Sequence, residues 1–361
     1  MEKKVIRVGS IGIGSISRGV HLPGIAKSPD LQLVAVCDIN PDALKYAQET
    51  YGIDEAHCFT DYHDLINCPD VDAIDISTPN DVHFPMAMAA VEAGKPFAVE
   101  KPMTMNAEEA DILQKAVAEK NIPNMVCFSY RFKAAARYAR DLVQQGALGK
   151  IYHVDMQYYQ AWGLPWCHTP QVWRFIKSRT GTGALGDLGS HALDLVRFVT
   201  GQEYTKLVGH TGNFISQREK LDGTGMGVSD VDDFSNYMAE LSDGGAATFR
   251  ITRFGTGRGN FQTMEVYGSE GALEYRLDHF ENNPTGEDEI YICISKPHAD
   301  SHVFAKLPIP DKYKTDQMQS FADIINGKGD GLAATVLDGD VNMHAVDAVV
   351  DSAEKGVWIN L

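Results

Sequence analysis

At 361 residues the chain is too long for one typical hydrophobic core and suits two domains; with 44% apolar and 22% charged residues it reads as a well-packed protein. A formal charge of −17 argues against nucleic acid or anionic membrane as partners, because neutralising phosphates needs clustered Lys and Arg, and leaves small neutral ligands compatible. No run of about 18 apolar residues occurs, and "MEKKVIRVGS" passes from charge straight into a strand-like run without a signal-peptide core, so a cytoplasmic location is expected.

The first third alternates short apolar runs with helical patterns. "VIRVGSIG" (5–12), "LQLVAVCD" (31–38), "VDAIDIST" (71–78), "PFAVE" (96–100) and "NMVCFS" (124–129) predict strands. Helices are predicted from Val82 to Ala93 and from Asn106 to Glu119, the second opened by a capping box between Asn106 and Glu109. Alternation of β and α at this spacing predicts a parallel, doubly wound sheet.

Four loops of this region fall where such a sheet binds ligands, at the carboxyl ends of its strands. The first is Gly12-Ile13-Gly14-Ser15-Ile16-Ser17, where glycine permits a sharp bend and lets backbone approach a pyrophosphate. The second strand ends at Asp38, whose carboxylate can accept ribose hydroxyls and would repel a 2′-phosphate; no Arg follows it, so NAD is preferred over NADP. "STPNDVH" puts Ser77, Thr78 and Asn80 at the third strand end, where Asn80 either contacts ligand or caps the next helix. At the fourth, Glu100-Lys101-Pro102 holds a Lys extended before proline, its ammonium aimed at the cleft or simply at solvent.

Beyond Ser129 the rhythm changes. One helix ("AAARYARDLVQQG") leads into "KIYHVDMQYYQ", and "FSNYMAEL", "AATFRITR", "FQTMEVYG" and "ALEYRL" follow one another with short Gly-rich turns, predicting a largely antiparallel sheet. The segment from Asp316 returns to helix. The boundaries read 1–129 and 130–361, with the C-terminal helices returning toward the first domain. Six scattered cysteines form no C-x-x-C pair, so reduced, mostly buried thiols and no metal site are expected; His298 and His302 read as surface loop.

Between the first strand of this half and the others lie two unusual stretches. "YYQAWGLPWCHTPQVWRF" (158–175) is aromatic: Tyr158 and Phe175 read as core, while Trp162, Trp166, His168 and Trp173 read equally well as a loop over a ligand, with Trp173 and Arg174 reaching nicotinamide or substrate. "TGTGALGDLGSHALD" (180–194) sets Asp187 and His191 four residues apart, on one face if helical, with Asp194 a turn further. A near-neutral His beside a carboxylate and a Lys suits proton removal from an alcohol: His191 takes the proton, Asp187 bonds it or a neighbouring hydroxyl, and Lys101 polarises the oxygen. The same stretch also suits a buried polar cluster, which is the reading given to Asp194.

With "GIGSIS", Asp38, "STPNDVH", "EKP", "FSYRF" (128–132) and "GTGALGDLGSH", the sequence resembles the Gfo/Idh/MocA family of NAD(P)-dependent sugar and polyol oxidoreductases over nearly its whole length. The resemblance implies an α/β Rossmann domain followed by an α+β domain with an open, mostly antiparallel sheet, and a homo-oligomer, dimer or tetramer. It implies catalysis by Lys101, Asp187 and His191, and cofactor contacts from Gly12, Gly14, Ser15, Ile16, Asp38, Thr78, Asn80, His83, Glu100 and Lys101, to which Ser77 is added from its place at the strand end. From the later stretches Arg131, Trp173 and Arg174 are assigned to cofactor, and Tyr130, Trp162 and His168, with Lys101, Asp187 and His191, to substrate. Ser129 stands where many relatives carry Asn.

The function expected is therefore NAD-dependent hydride transfer from a secondary alcohol of a cyclic polyol, sugar or glycoside. Two other readings remain: a redox-neutral glycosidase that oxidises C3 transiently and then eliminates, and an NAD-binding regulator without catalysis.

Overall fold

The computed structural model describes residues 5–279, 288–294 and 303–361; His298 and His302 lie outside them. The chain divides into two compact units, the first of Met1–Ser129 with Thr315–Asp340, the second of Tyr130–Lys314 with Val341–Leu361.

Unit 1 is built on six parallel strands: β1 (Ile6–Ile11), β2 (Leu31–Cys37), β3 (Cys58–Phe59), β4 (Ala73–Ile76), β5 (Phe97–Val99) and β6 (Asn124–Val126), in the order β3-β2-β1-β4-β5-β6. Covered on both faces, they read as continuous apolar runs, and Val8, Val36, Ile74, Phe97 and Met125 are wholly buried. The strand order reverses between β1 and β4, the place where the carboxyl ends of adjacent strands diverge and open a crevice. The predicted doubly wound sheet is thus present; the two-residue β3 is too short to carry an apolar signal.

The helix Ala107–Lys120 starts as its sequence predicts, with Asn106 Oδ1 accepting from Glu109 N at 2.9 Å. The return arm of the capping box is displaced by one residue: Glu109 Oε2 accepts from Met105 N, 3.0 Å, not from the cap itself. The C-terminal part of this unit is stitched on by polar contacts. Gln319 in the helix Gln317–Ile325 donates to Asp30 Oδ2 and accepts from Ser28 Oγ, while Val126 N donates to Ala334 O and Val336 N to Asn124 Oδ1.

Unit 2 is built on a nine-stranded sheet of β7 (Ile151–Tyr159), β8 (Tyr204–Gly212), β11 (Phe234–Leu241), β12 (Ala246–Thr252), β13 (Asn260–Gly268), β14 (Gly271–His279), β15 (Asp288–Ile294), β16 (Ala305–Lys306) and β17 (Ile359–Asn360); β9 (Gln217–Glu219) and β10 (Met226–Val228) form a separate hairpin. The order is β16-β15-β14-β13-β7-β12-β11-β8-β17; β7 and β12 run parallel and the other described pairings are antiparallel. Strict alternation of buried and exposed residues along β11 and β12 shows one covered face. The helices Ala134–Gln144 and Ser190–Thr200 pack on each other, and the second packs on β7.

All six cysteines are free, but only Cys37 and Cys127 are buried and the other four are half-buried, so most are less buried than the sequence suggests. Among the described residues, no helix is long and apolar enough to cross a membrane. Replacing Asn106 by Ala removes a cap and is expected to cost about 1 kcal/mol, read as a lower urea midpoint for unit 1; an unchanged midpoint would show the cap to be idle.

Candidate functional site

In unit 1 the loops after β1, β2, β4 and β5 gather the first group of predicted residues. The chain leaves β1 through Gly12, whose φ of +88° and the 2.7 Å between a built Cβ and Ser77 O leave room for glycine alone. Gly12 N donates to Cys37 O, and Ser77 Oγ to Gly12 O, both at 2.8 Å. The Asp38 carboxylate clamps the turn: Oδ2 accepts from Ile13 N at 2.7 Å and Oδ1 from Asn40 N at 2.8 Å.

Gly14, Ser15 and Ile16 are exposed, and a Cβ built on Gly14 meets nothing within 4 Å. Open backbone at the start of a helical segment, beside a half-buried carboxylate with lone pairs to spare, fits a pyrophosphate and an adenosine ribose.

At the next strand ends the side chains turn inward. Asn80 is buried in a short turn, Asn80–Val82, and Val82, not Asn80, occupies the N-cap of the helix His83–Glu92. His83 is fully buried with Nδ1 2.8 Å from Pro102 O and Nε2 2.9 Å from Thr78 O; burial lowers its pKa against the pull of the two carbonyls. Glu100 accepts from Lys101 N through Oε2 at 3.1 Å and faces His21 Nε2 through Oε1 at 3.0 Å. His83 and Glu100, expected at the cofactor, are therefore occupied with protein partners. Lys101 is half-buried, and its peptide to Pro102 is cis where an ordinary extended step was expected.

Unit 2 holds the second group. The glycine-rich stretch enters a π-helical turn, Leu185–Gly189, that continues as the α-helix Ser190–Thr200, so Asp187 and His191 straddle the junction of two helical geometries. Its entry is held by Asp232, which accepts from Gly183 N (2.5 Å) and Leu185 N (2.7 Å) through its carboxylate and from Ala184 N through its carbonyl. Burial raises the Asp232 pKa, while these amides and Arg253 pull the other way. A Cβ on Gly183 would come 1.9 Å from Asp232 O, which explains one of the glycines.

Below Asp187 lies Arg253, fully buried; its Nη2 donates to Asp187 Oδ2 (3.3 Å) and Gly183 O (2.9 Å), its Nη1 to Arg174 O (3.2 Å), and its guanidinium lies over the Trp162 ring at 4.7 Å. Burial lowers its pKa, opposed chiefly by Asp187 and Asp232.

The His191 ring stands edge-on to Tyr130 at 4.6 Å. Tyr130 and Tyr158 share a hydrogen bond of 2.5 Å, and a polar chain continues through Asn260 and Gln160 to the Trp162 indole N–H, 2.6 Å from Gln160 Oε1. Tyr130, Trp162, Asp187 and His191 are thus tied together through Arg253, Gln160 and Asn260, none of which the sequence singled out. Arg131, expected at cofactor, instead grips Asp194 with Nε (2.8 Å) and Nη2 (2.5 Å) in a buried pair, which gives Asp194 the structural role read for it. Tyr158 and Phe175 are core as expected; Trp166 and His168 are exposed, the latter at φ +48°, and Trp173 carries the Arg174 guanidinium over its ring at 4.4 Å.

Residues 6–128 match the family described as "Oxidoreductase family, NAD-binding Rossmann fold" and residues 136–274 match the "GFO/IDH/MocA C-terminal domain". The chain belongs to the Gfo/Idh/MocA oxidoreductase family, and its first unit carries the family's NAD-binding Rossmann domain. It is similar to a levoglucosan dehydrogenase of Pseudarthrobacter phenanthrenivorans, 29% identical over 99% of this chain and 98% of the relative, and to an inositol 2-dehydrogenase of Rhizobium meliloti, 27% identical over 97% and 98%. A solved levoglucosan dehydrogenase in complex with NADH and L-sorbose superposes with a TM-score of 0.87 at 29% identity, covering 99% of both chains.

Two measurements check these geometries. Asp38→Ala is expected to weaken NADH binding about tenfold and to narrow the preference over NADPH, since a hydrogen bond to a charged group contributes about 1.5–3 kcal/mol; equal wild-type affinity for both cofactors by fluorescence titration would remove Asp38's role. Gly183→Ala is expected to destabilise unit 2 by about 2–3 kcal/mol through overpacking against Asp232, visible as a lower melting temperature.

Proposed function

We propose that the chain is an NAD-dependent dehydrogenase that oxidises a secondary alcohol of a cyclic sugar or polyol to the ketone, releasing NADH and a proton. The observation that carries the reading is His191 set four residues after Asp187, in a chain that aligns end to end with sugar and inositol dehydrogenases. NAD, held at the loops of Gly12, Asp38 and Ser77, would supply the hydride acceptor. This chain's residues place the alcohol and move its proton: the His191 imidazole accepts the hydroxyl proton, the Lys101 ammonium favours negative charge developing on the oxygen, and Asp187 orients a hydroxyl or the imidazole.

The edge-on Tyr130 ring fixes the plane of His191, and the Arg253 guanidinium fixes the Asp187 carboxylate. Unit 1 serves the cofactor through Gly12, Gly14, Ser15, Ile16, Asp38, Ser77 and Thr78. Tyr130, Trp162 and His168 serve the substrate, with Trp162 offering a flat face to the C–H side of a ring.

Levoglucosan, inositols and common monosaccharides incubated with NAD are expected to give steady accumulation of NADH with at least one of them. His191→Ala is expected to lower kcat about 10²–10⁴-fold, the usual contribution of a general base. Unchanged turnover in that variant would remove the assignment. Tightly held NAD with product formation and no net NADH would replace it by the redox-neutral elimination.

A further inference from the structure

Next to the Lys101 turn, within unit 1, lies a cluster that neither the cofactor cradle nor the proton path employs. His21 ends the π-helical turn Ser17–His21 that follows the phosphate loop and is fully buried. Its Nδ1 stands 2.7 Å from Asp75 Oδ1 and its Nε2 3.0 Å from Glu100 Oε1. Asp75, on β4 and fully buried, also accepts from Ser10 Oγ of β1 at 2.8 Å. The second Glu100 oxygen accepts from the Lys101 amide at 3.1 Å.

Cys127, just past β6, completes the surroundings: one ligand atom each from His21, Glu100 and Cys127 falls within 4.8 Å of the others. The groups facing the ring are therefore two carboxylates and a thiol.

A neutral imidazole carries one N–H, so between two carboxylates it would set one lone pair against another; the doubly protonated ring satisfies both contacts. Burial alone would lower the pKa of this ring, but the charge and hydrogen bond of Asp75, followed by those of Glu100, outweigh it and lift the pKa to about 10. Burial, then Glu100 and Asp75, push the Cys127 thiol well above its ordinary value, so it brings no charge to the ring. His21, Asp75 and Glu100 form an ionic chain through the imidazole.

We infer that His21 is a positioning residue for Lys101: by bridging Asp75 and Glu100 it fixes the carboxylate that holds the Lys101 backbone, so the phosphate-loop helix sets where the ammonium points. Without the cation, Asp75 and Glu100 become two buried carboxylates with no charge between them, one must turn or take up a proton, and the hold of Glu100 on the Lys101 amide loosens. The functional side of this inference rests on the role proposed for Lys101, whereas its structural side does not.

The test uses the full chain. In His21→Gln, amide hydrogen exchange at Lys101, followed by NMR, is expected to accelerate at least about tenfold while amides of β1 and β2 keep their protection. Unchanged exchange at Lys101, or a uniform loss across the sheet, would overturn the inference. If the variant does not fold, ¹⁵N-histidine NMR of the wild type decides: at about pH 8 both His21 nitrogens are expected to be protonated, and a bare nitrogen there overturns the ionic chain.

With an alcohol substrate, kcat in His21→Gln is expected to fall about 10–100-fold while NADH affinity stays within about twofold. A weakened NADH affinity with unchanged kcat would mean that His21 serves only the phosphate loop. If the wild type oxidises no alcohol, the dehydrogenase reading fails while the exchange and ¹⁵N results still decide for or against His21.

Discussion

A carboxylate that leaves water must find its hydrogen bonds again inside the protein, and here the acidic side chains find them in the backbone of the loops that carry the candidate site. Asp38 takes the amides of Ile13 and Asn40, Asp232 those of Gly183 and Leu185, and Glu100 that of Lys101. Each bond satisfies an otherwise orphaned N–H and at the same time fixes a turn whose side chains or open backbone are offered to ligand. Irregular backbone is thereby made rigid without a helix or strand to do it.

The same device explains the buried cations. Carboxylates drawn into the interior need more than amides, and His21, Arg131 and Arg253 lie where they collect: His21 between Asp75 and Glu100, Arg131 across Asp194, Arg253 beside Asp187. Such pairs add little net stability compared with apolar packing, because desolvation offsets their attraction, but removing one partner leaves a bare buried charge. Their value here is geometric. Arg253 joins the Asp187 carboxylate, the Gly183 and Arg174 carbonyls and the Trp162 face in one rigid contact.

Sheet topology decides which loops are near one another within each unit. In unit 1 the reversal of strand order between β1 and β4 brings Gly12 beside Ser77, a contact so close that only glycine fits. In unit 2 the helix with His191 packs on β7, which places Tyr158 and the imidazole at 6.3 Å between ring centres.

Periodicity and turn chemistry in the chain determine much of this by themselves. The parallel strands announce themselves as unbroken apolar runs because both faces are covered; β11 and β12 announce themselves by alternation because one face is open; the phosphate loop, Asp38 and the Asp187-His191 pair are short local patterns whose spacing survives folding unchanged. Segments such as β3, β9 and β10 are too short to show a period, and β8 is broken by Gly209, Lys206 and His210. Contacts over long sequence separation left no local trace. Arg253 reads as one more residue of a strand end, His21 as one more residue after a glycine loop, and Arg131 as a cofactor contact; only the tertiary structure reveals which acid each one meets. The reason is physical: a local pattern encodes which face of an element is buried, whereas the partner of a buried charge depends on which distant strand ends the topology brings alongside it.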